Sequence, residues 1–137
     1  MTMYRSLLAV LLVYMSTTVD AQVLVDVFHW GEITKDMRLP GATIRLHNLN
    51  APNEINRQLP RFAGSPAQAE NAAGNWLQSD EGKAFTEALR AAYDGHMLAR
   101  KYKLQKAPAI VFDSGTYVVY GSTDIRHALL LYRQASK

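Results

Sequence analysis

No cysteine occurs anywhere in the 137 residues. That one absence excludes a thiolate nucleophile, disulfide exchange, a lipid-carrying cysteine and any Cys-based metal site. Small exported domains often use disulfides as staples. A cysteine-free domain of this size must hold its fold by core packing. Also missing are the GxSxG nucleophile elbow, the GxxxxGK[ST] phosphate loop and the HExxH zinc motif. The four histidines, His29, His47, His96 and His127, include no pair at a metal-ligand spacing such as i,i+4 on one helix. The sequence therefore calls for no metal and no other cofactor. Charge of one sign is scarce too: 15 Lys and Arg stand against 12 Asp and Glu, a net +3. This excess is too mild to argue for nucleic acid.

Long apolar runs are confined to the N-terminus. Arg5, the apolar run Leu7–Val13 and the polar Ser16–Ala21 have the n-, h- and c-region order of a signal peptide. Val19 and Ala21 are the small residues expected before a cut at Gln22. The apolar core is shorter than the roughly 18 residues that span a bilayer, which disfavours a membrane anchor. Residues 1–21 are thus read as a cleavable signal peptide and 22–137 as one exported, periplasmic domain, with no stable membrane insertion after the cut.

Val23–Phe28 is β-branched and apolar, a strand pattern. His29–Gly41 is a loop with room for a helical turn near Ile33–Met37, where Glu32 and Asp36 would meet as a solvated pair. Thr43–Leu49 alternates, with Ile44 and Leu46 on one side and Arg45 and His47 on the other: a half-buried strand. Asn50–Gly64, with Pro52 and Pro60, reads mostly as connection. Ser65-Pro66 opens a short helix to about Gln78. Asp80 caps a long helix, Glu81–Tyr102, with Phe85, Ala88, Leu89, Ala92, His96 and Ala99 at 3.6-residue spacing. Ala109–Asp113 and Tyr117–Tyr120 form a hairpin around Ser114-Gly115. Asp124 caps a last helix, Ile125–Gln134. This order predicts an α/β domain with a mixed sheet and helices on its faces.

The run Lys106-Ala107-Pro108-Ala109-Ile110-Val111-Phe112, followed by Gly115, Tyr117–Gly121 and the final helix, resembles the thioredoxin-like fold. There the proline before the hairpin is usually cis and lies beside the active-site loop. Thioredoxins carry two cysteines just after the first strand; this chain has Phe28-His29-Trp30-Gly31-Glu32 in that place. The resemblance therefore implies the fold without the redox mechanism.

A closer likeness lies in Ala91–Gly95, Leu104, Ala107–Asp113 and Tyr117–Asp124. These stretches resemble a family of small exported proteins encoded within integrating conjugative elements. That family is similar in turn to the pilin-assembly proteins of F-type conjugation systems. The likeness spans most of 22–137 and is strongest in 88–128. It implies a periplasmic accessory protein of a conjugative transfer (type IV secretion) apparatus, without enzymatic activity. Its partner would be an envelope protein of that machinery, such as a pilin or channel component. A cysteine-less enzyme on the same fold and a general periplasmic chaperone are the alternatives.

In such a fold, His29, Trp30, Ala107 and Pro108 are neighbours and outline a groove for an extended peptide. The plainer alternative has Trp30 capping the core, His29 solvated, and Pro108 only setting the turn. Ser122-Thr123-Asp124 reads as a helix cap rather than a catalytic group. Arg100, Lys101, Lys103 and Lys106 read as cations favoured by a helix C-terminus. They lack the interleaved aromatics of a nucleic-acid surface.

Overall fold

The computed structural model of the chain describes residues 22–33 and 35–137. The signal-peptide reading of residues 1–21 lies outside them. Four strands, β1 (Val23–His29), β2 (Ala42–Asn48), β3 (Ala109–Phe112) and β4 (Tyr117–Tyr120), form one sheet in the order β2-β1-β3-β4. β1 runs parallel to β2 and antiparallel to β3, and β3 is antiparallel to β4. Helices α1 (Ala51–Asn56), α2 (Pro66–Gln78) and α3 (Asp80–Lys101) lie between the two strand pairs, and α4 (Ile125–Ala135) ends the chain. This is the expected thioredoxin-like mixed sheet with flanking helices.

β1 and β3 are central strands, so they are apolar on both faces. On one face Val25, Val27, Ile110 and Phe112 meet Ile125, Ala128 and Leu129 of α4. The 125-128-129-132 spacing puts those residues on one stripe of α4, and Tyr132 stacks on Phe112 at 4.6 Å. Burial of Ile125 and of Leu129 contributes about 1.5–3 kcal/mol each. On the other face Phe28, Ala109 and Val111 pack with Leu49 against Leu98 and Ala99 of α3 and against Tyr102, the residue that caps its end. Gly95 lets α3 come close to β2: a Cβ there would lie 3.2 Å from that of His47.

The segment between β1 and β2 departs from expectation. No helical turn forms at its described residues. Met37 and Leu39 are half-buried against the α4-side core, while Asp36 and Arg38 are exposed, a period of two rather than 3.6. Pro40 also disfavours a helix running up to it. Asp36 therefore pairs with Arg38, its Oδ1 3.0 Å from Nε, and not with Glu32.

Two helix starts also differ. Asn50–Gly64 is not all connection: α1 begins with Pro52 in its first turn, buried. The cap of α3 is Ser79, not Asp80. Its Oγ accepts from the Gly82 N–H (3.2 Å) and donates to the Trp76 carbonyl, so one hydroxyl closes α2 and opens α3. Ser79→Ala is expected to cost about 1 kcal/mol, read as a lowered urea midpoint with circular dichroism unchanged.

Candidate functional site

β1 ends at His29 and β3 begins one residue after Pro108, so antiparallel pairing of Phe28 with Ala109 brings the two loops together. The Ala107–Pro108 bond is cis. The Pro108 carbonyl accepts the Gly121 N–H at 2.8 Å, tying β3 to the segment that leads into α4. Gly31 has φ +71°, a conformation that lets the chain turn sharply after Trp30.

His29 and Trp30 take the reverse of their plainer roles. His29 is buried and Trp30 is 56% exposed. His29 Nδ1 lies 2.8 Å from the Gly31 carbonyl; because a carbonyl only accepts, that nitrogen carries the proton. Trp30 leans its ring on His96 of α3 (centroids 6.4 Å apart), and His96 also contacts Tyr93 (5.8 Å). His96 Nε2–H donates to the Leu49 carbonyl at 2.8 Å, which fixes that ring at the core margin. The result is an aromatic row, Trp30–His96–Tyr93, at the carboxyl end of β1, with Trp30 and Tyr93 half-exposed.

His29, Trp30 and Pro108 line one shallow recess of about 180 Å³, together with Glu32, Ile33, Lys35 and Thr123. Ala107 is not in its lining; it packs, half-buried, on the α3-side core. The recess is well below the roughly 300–1,000 Å³ of pockets that enclose small ligands. Beside it Lys35 lies 3.6 Å from Asp124. The His127 N–H, and beyond it Lys35, hold the Asp124 carboxyl below its ordinary pKa. Asp124 is the cap of α4, as its sequence position implies.

Beneath this end, three residues back along β1, lies a group that the sequence reading missed. Asp26 is 1% exposed. Its Oδ1 accepts from Arg45 Nε and Oδ2 from Arg45 Nη2, both at 2.7 Å. His47 Nε2 also donates to Oδ1 at 2.7 Å, and the Tyr102 hydroxyl to Oδ2 at 3.1 Å. Burial pushes this carboxyl toward a higher pKa. The bonds from Arg45, His47 and Tyr102 outweigh it, and the net direction is down. His47 stacks on Phe28 at 4.7 Å and Tyr102 meets Phe28 edge-on at 6.1 Å. The network thus ties β1, β2 and α3 together just below His29. Its signal was a carboxylate inside an otherwise apolar strand, which demands partners. Arg45 and His47 on the polar side of β2 were the residues able to supply them.

Among the described residues no cluster of three or more potential ligands could hold a metal ion. No helix there is long and apolar enough to cross a membrane. Sheet order, cis-proline loop and vacant thiol positions together define a thioredoxin-like domain that lacks the redox pair. Residues 21–137 match the family described as "Protein of unknown function (DUF1525)", and the chain belongs to that family. No curated protein and no solved structure matches it.

Proposed function

We propose that this chain is an exported, non-enzymatic binding module that holds an extended segment of an envelope protein across the His29–Trp30–Pro108 end of its sheet. The observation that carries the reading is Trp30: a large ring left half-exposed beside a recess floored by a buried histidine and a proline. Trp is favoured at binding hot spots because it offers much area at little entropy cost. A recess of about 180 Å³ suits one side chain of a peptide lying across it better than an enclosed substrate. That disfavours the enzyme alternative, although His29, Glu32, Lys35 and Thr123 bring polar groups to the same place.

The narrower role, as a periplasmic accessory protein of a conjugative transfer apparatus, rests on the resemblance carried by Ala107–Asp113 and Tyr117–Asp124. It makes a pilin or channel component the partner. Cross-linking in cells that carry the intact element, followed by identification of the captured chains, tests it. One or two envelope components of the transfer machine are expected. Capture of many unfolded chains would favour the chaperone reading, and normal transfer after clean deletion would count against a role in conjugation. Trp30→Ala is expected to reduce capture at least about 30-fold and leave the melting temperature unchanged.

A further inference from the structure

The recess at Trp30 holds an acceptor that no described residue serves. His29 is 8% exposed and lines that recess. Its Nδ1–H is spent on the Gly31 carbonyl at 2.8 Å, so in the neutral ring Nε2 presents a bare lone pair. Nε2 is not sealed into the interior either. Among the described residues the enclosed side-chain polar atom without a partner is the Trp76 indole nitrogen. His29 Nε2 therefore opens onto the recess. Water filling the recess can serve it, and a ligand that displaces the water must bring a donor of its own.

The charges around the recess give that donor a sign. Its lining includes one cation, Lys35, and one carboxylate, Glu32. Lys35 is turned to Asp124, its Nζ 3.6 Å from Oδ2. Glu32 is exposed and forms an ion pair with no described residue. The unbalanced charge of the lining is therefore negative.

We infer that the recess is a subsite for a lysine side chain carried by the bound segment. This rests on the reading of the Trp30 end as a binding site for an extended chain, and it gives that chain its chemistry. An ammonium carries three donors and no acceptor. His29 Nε2, the Thr123 hydroxyl and the Glu32 carboxylate set acceptors around one small volume of about 180 Å³. The four-carbon stem lies along Trp30, Ile33 and Pro108, the apolar part of the same lining. A guanidinium is a flat fork that matches a carboxylate bidentately. The recess offers one rim carboxylate and two single-atom acceptors, which suit a compact ammonium better. A glutamate on the segment would face Glu32 and a lone pair. A leucine would leave Nε2 dry and unpaired.

The test uses the protein expressed from its full sequence and short blocked peptides that differ only at one central residue: lysine, norleucine or glutamate. Norleucine keeps the stem and drops the ammonium. Binding is followed by the backbone amide resonances of Gly31 and Thr123. The lysine peptide should bind at least about tenfold more tightly than the norleucine peptide, and the glutamate peptide more weakly than either. Glu32→Gln, at an exposed position that does not threaten the fold, should lower the lysine-to-norleucine ratio at least about threefold. His29→Asn keeps an amide donor for the Gly31 carbonyl but removes the acceptor at the Nε2 position, and should lower the ratio likewise. Equal binding of the lysine and norleucine peptides, both lost in Trp30→Ala, would overturn the lysine subsite and leave the extended-chain site standing. No response at Gly31 or Thr123 to any peptide would overturn both. A lysine preference that survives Glu32→Gln and His29→Asn would put the ammonium elsewhere and overturn the inference.

Discussion

Replacing Gly82 by alanine is expected to destabilise the protein by about 3 kcal/mol, near the upper end for overpacking, although alanine is intrinsically the better helix former. Gly82 sits in the first turn of α3, where the chain has just left α2 through Ser79. A Cβ at this position would lie 2.1 Å from the Trp76 carbonyl oxygen and 2.6 Å from the Leu77 Cα. Both are backbone atoms, so no side-chain rotation relieves the clash. Either the last turn of α2 unwinds or the corner between the two helices opens, and each route costs the Ser79 bonds as well. The measurement is a urea midpoint at unchanged m-value. Gly74→Ala is the control: a Cβ there meets nothing within 4 Å, so the helix-propensity gain of a few tenths to about 1 kcal/mol is expected instead. Equal effects at the two positions would refute the corner argument.

Arg45→Met is expected to cost about 2–4 kcal/mol at neutral pH. The long apolar stem is kept and only the two 2.7 Å bonds to Asp26 are lost. The carboxylate stays buried, with His47 and Tyr102 as its remaining donors. Removing the arginine does more harm than its own half-exposed position suggests, because the group left behind cannot reach water. The loss should depend on pH in a stated direction. In the native protein the Asp26 carboxyl lies below its ordinary value of 3.8. Its contribution is therefore fully present above 3.8 and is lost only as pH falls through the lower folded value. In Arg45→Met burial is less well opposed and the carboxyl titrates higher. The stability gap between the two proteins should be widest at neutral pH and narrow as the solution is acidified. A gap constant from neutral pH to below 3.8 would mean that the arginine acts through packing alone.

These two positions also show what a reader of the sequence can and cannot obtain. Periodicity carried the strands and the helices α2, α3 and α4, because each turns toward its neighbours a stripe or a face that repeats at its own period, half-buried in α2 and more deeply buried in β1, β3 and α4. The loop after β1 defeated that logic. Its alternation of Met37 and Leu39 with Asp36 and Arg38 is too short to tell a strand-like crossing from one helical turn. α1 was hidden because Pro52 and the neighbouring asparagines are turn formers by composition, yet a proline in a helix's first turn gives up no bond. Ser79 and Asp80 are both good caps, and only the close passage of the chain at Gly82 chooses between them.

At the candidate site, the placement of His29, Trp30 and Pro108 around one recess follows from strand order, which was legible. Which of the two aromatic rings turns inward was not legible. Trp30 has the larger apolar surface, but it follows the last residue of β1, beyond the final inward position. His29 finds an acceptor in the Gly31 carbonyl and can be buried at little cost. The Asp26 network needed the pairing of β1 with β2, a relation between residues 19 apart in the chain that local pattern does not encode.

α2 has no buried residue. It is held mainly by a file of three rings, Phe62, Trp76 and Phe85, spaced 5.9 and 5.3 Å. Within that file the indole N–H of Trp76 is enclosed without an acceptor among the described residues. The molecule is therefore layered in strength. A tightly knit slab of sheet with α4 carries most of the cohesion, and a thin outer rind made by α2 is fastened at few points. Local opening follows such gradients. The rind can lift away and reseat while the slab stays shut, so the candidate site at Trp30 keeps its shape through fluctuations that expose the 13 residues of α2.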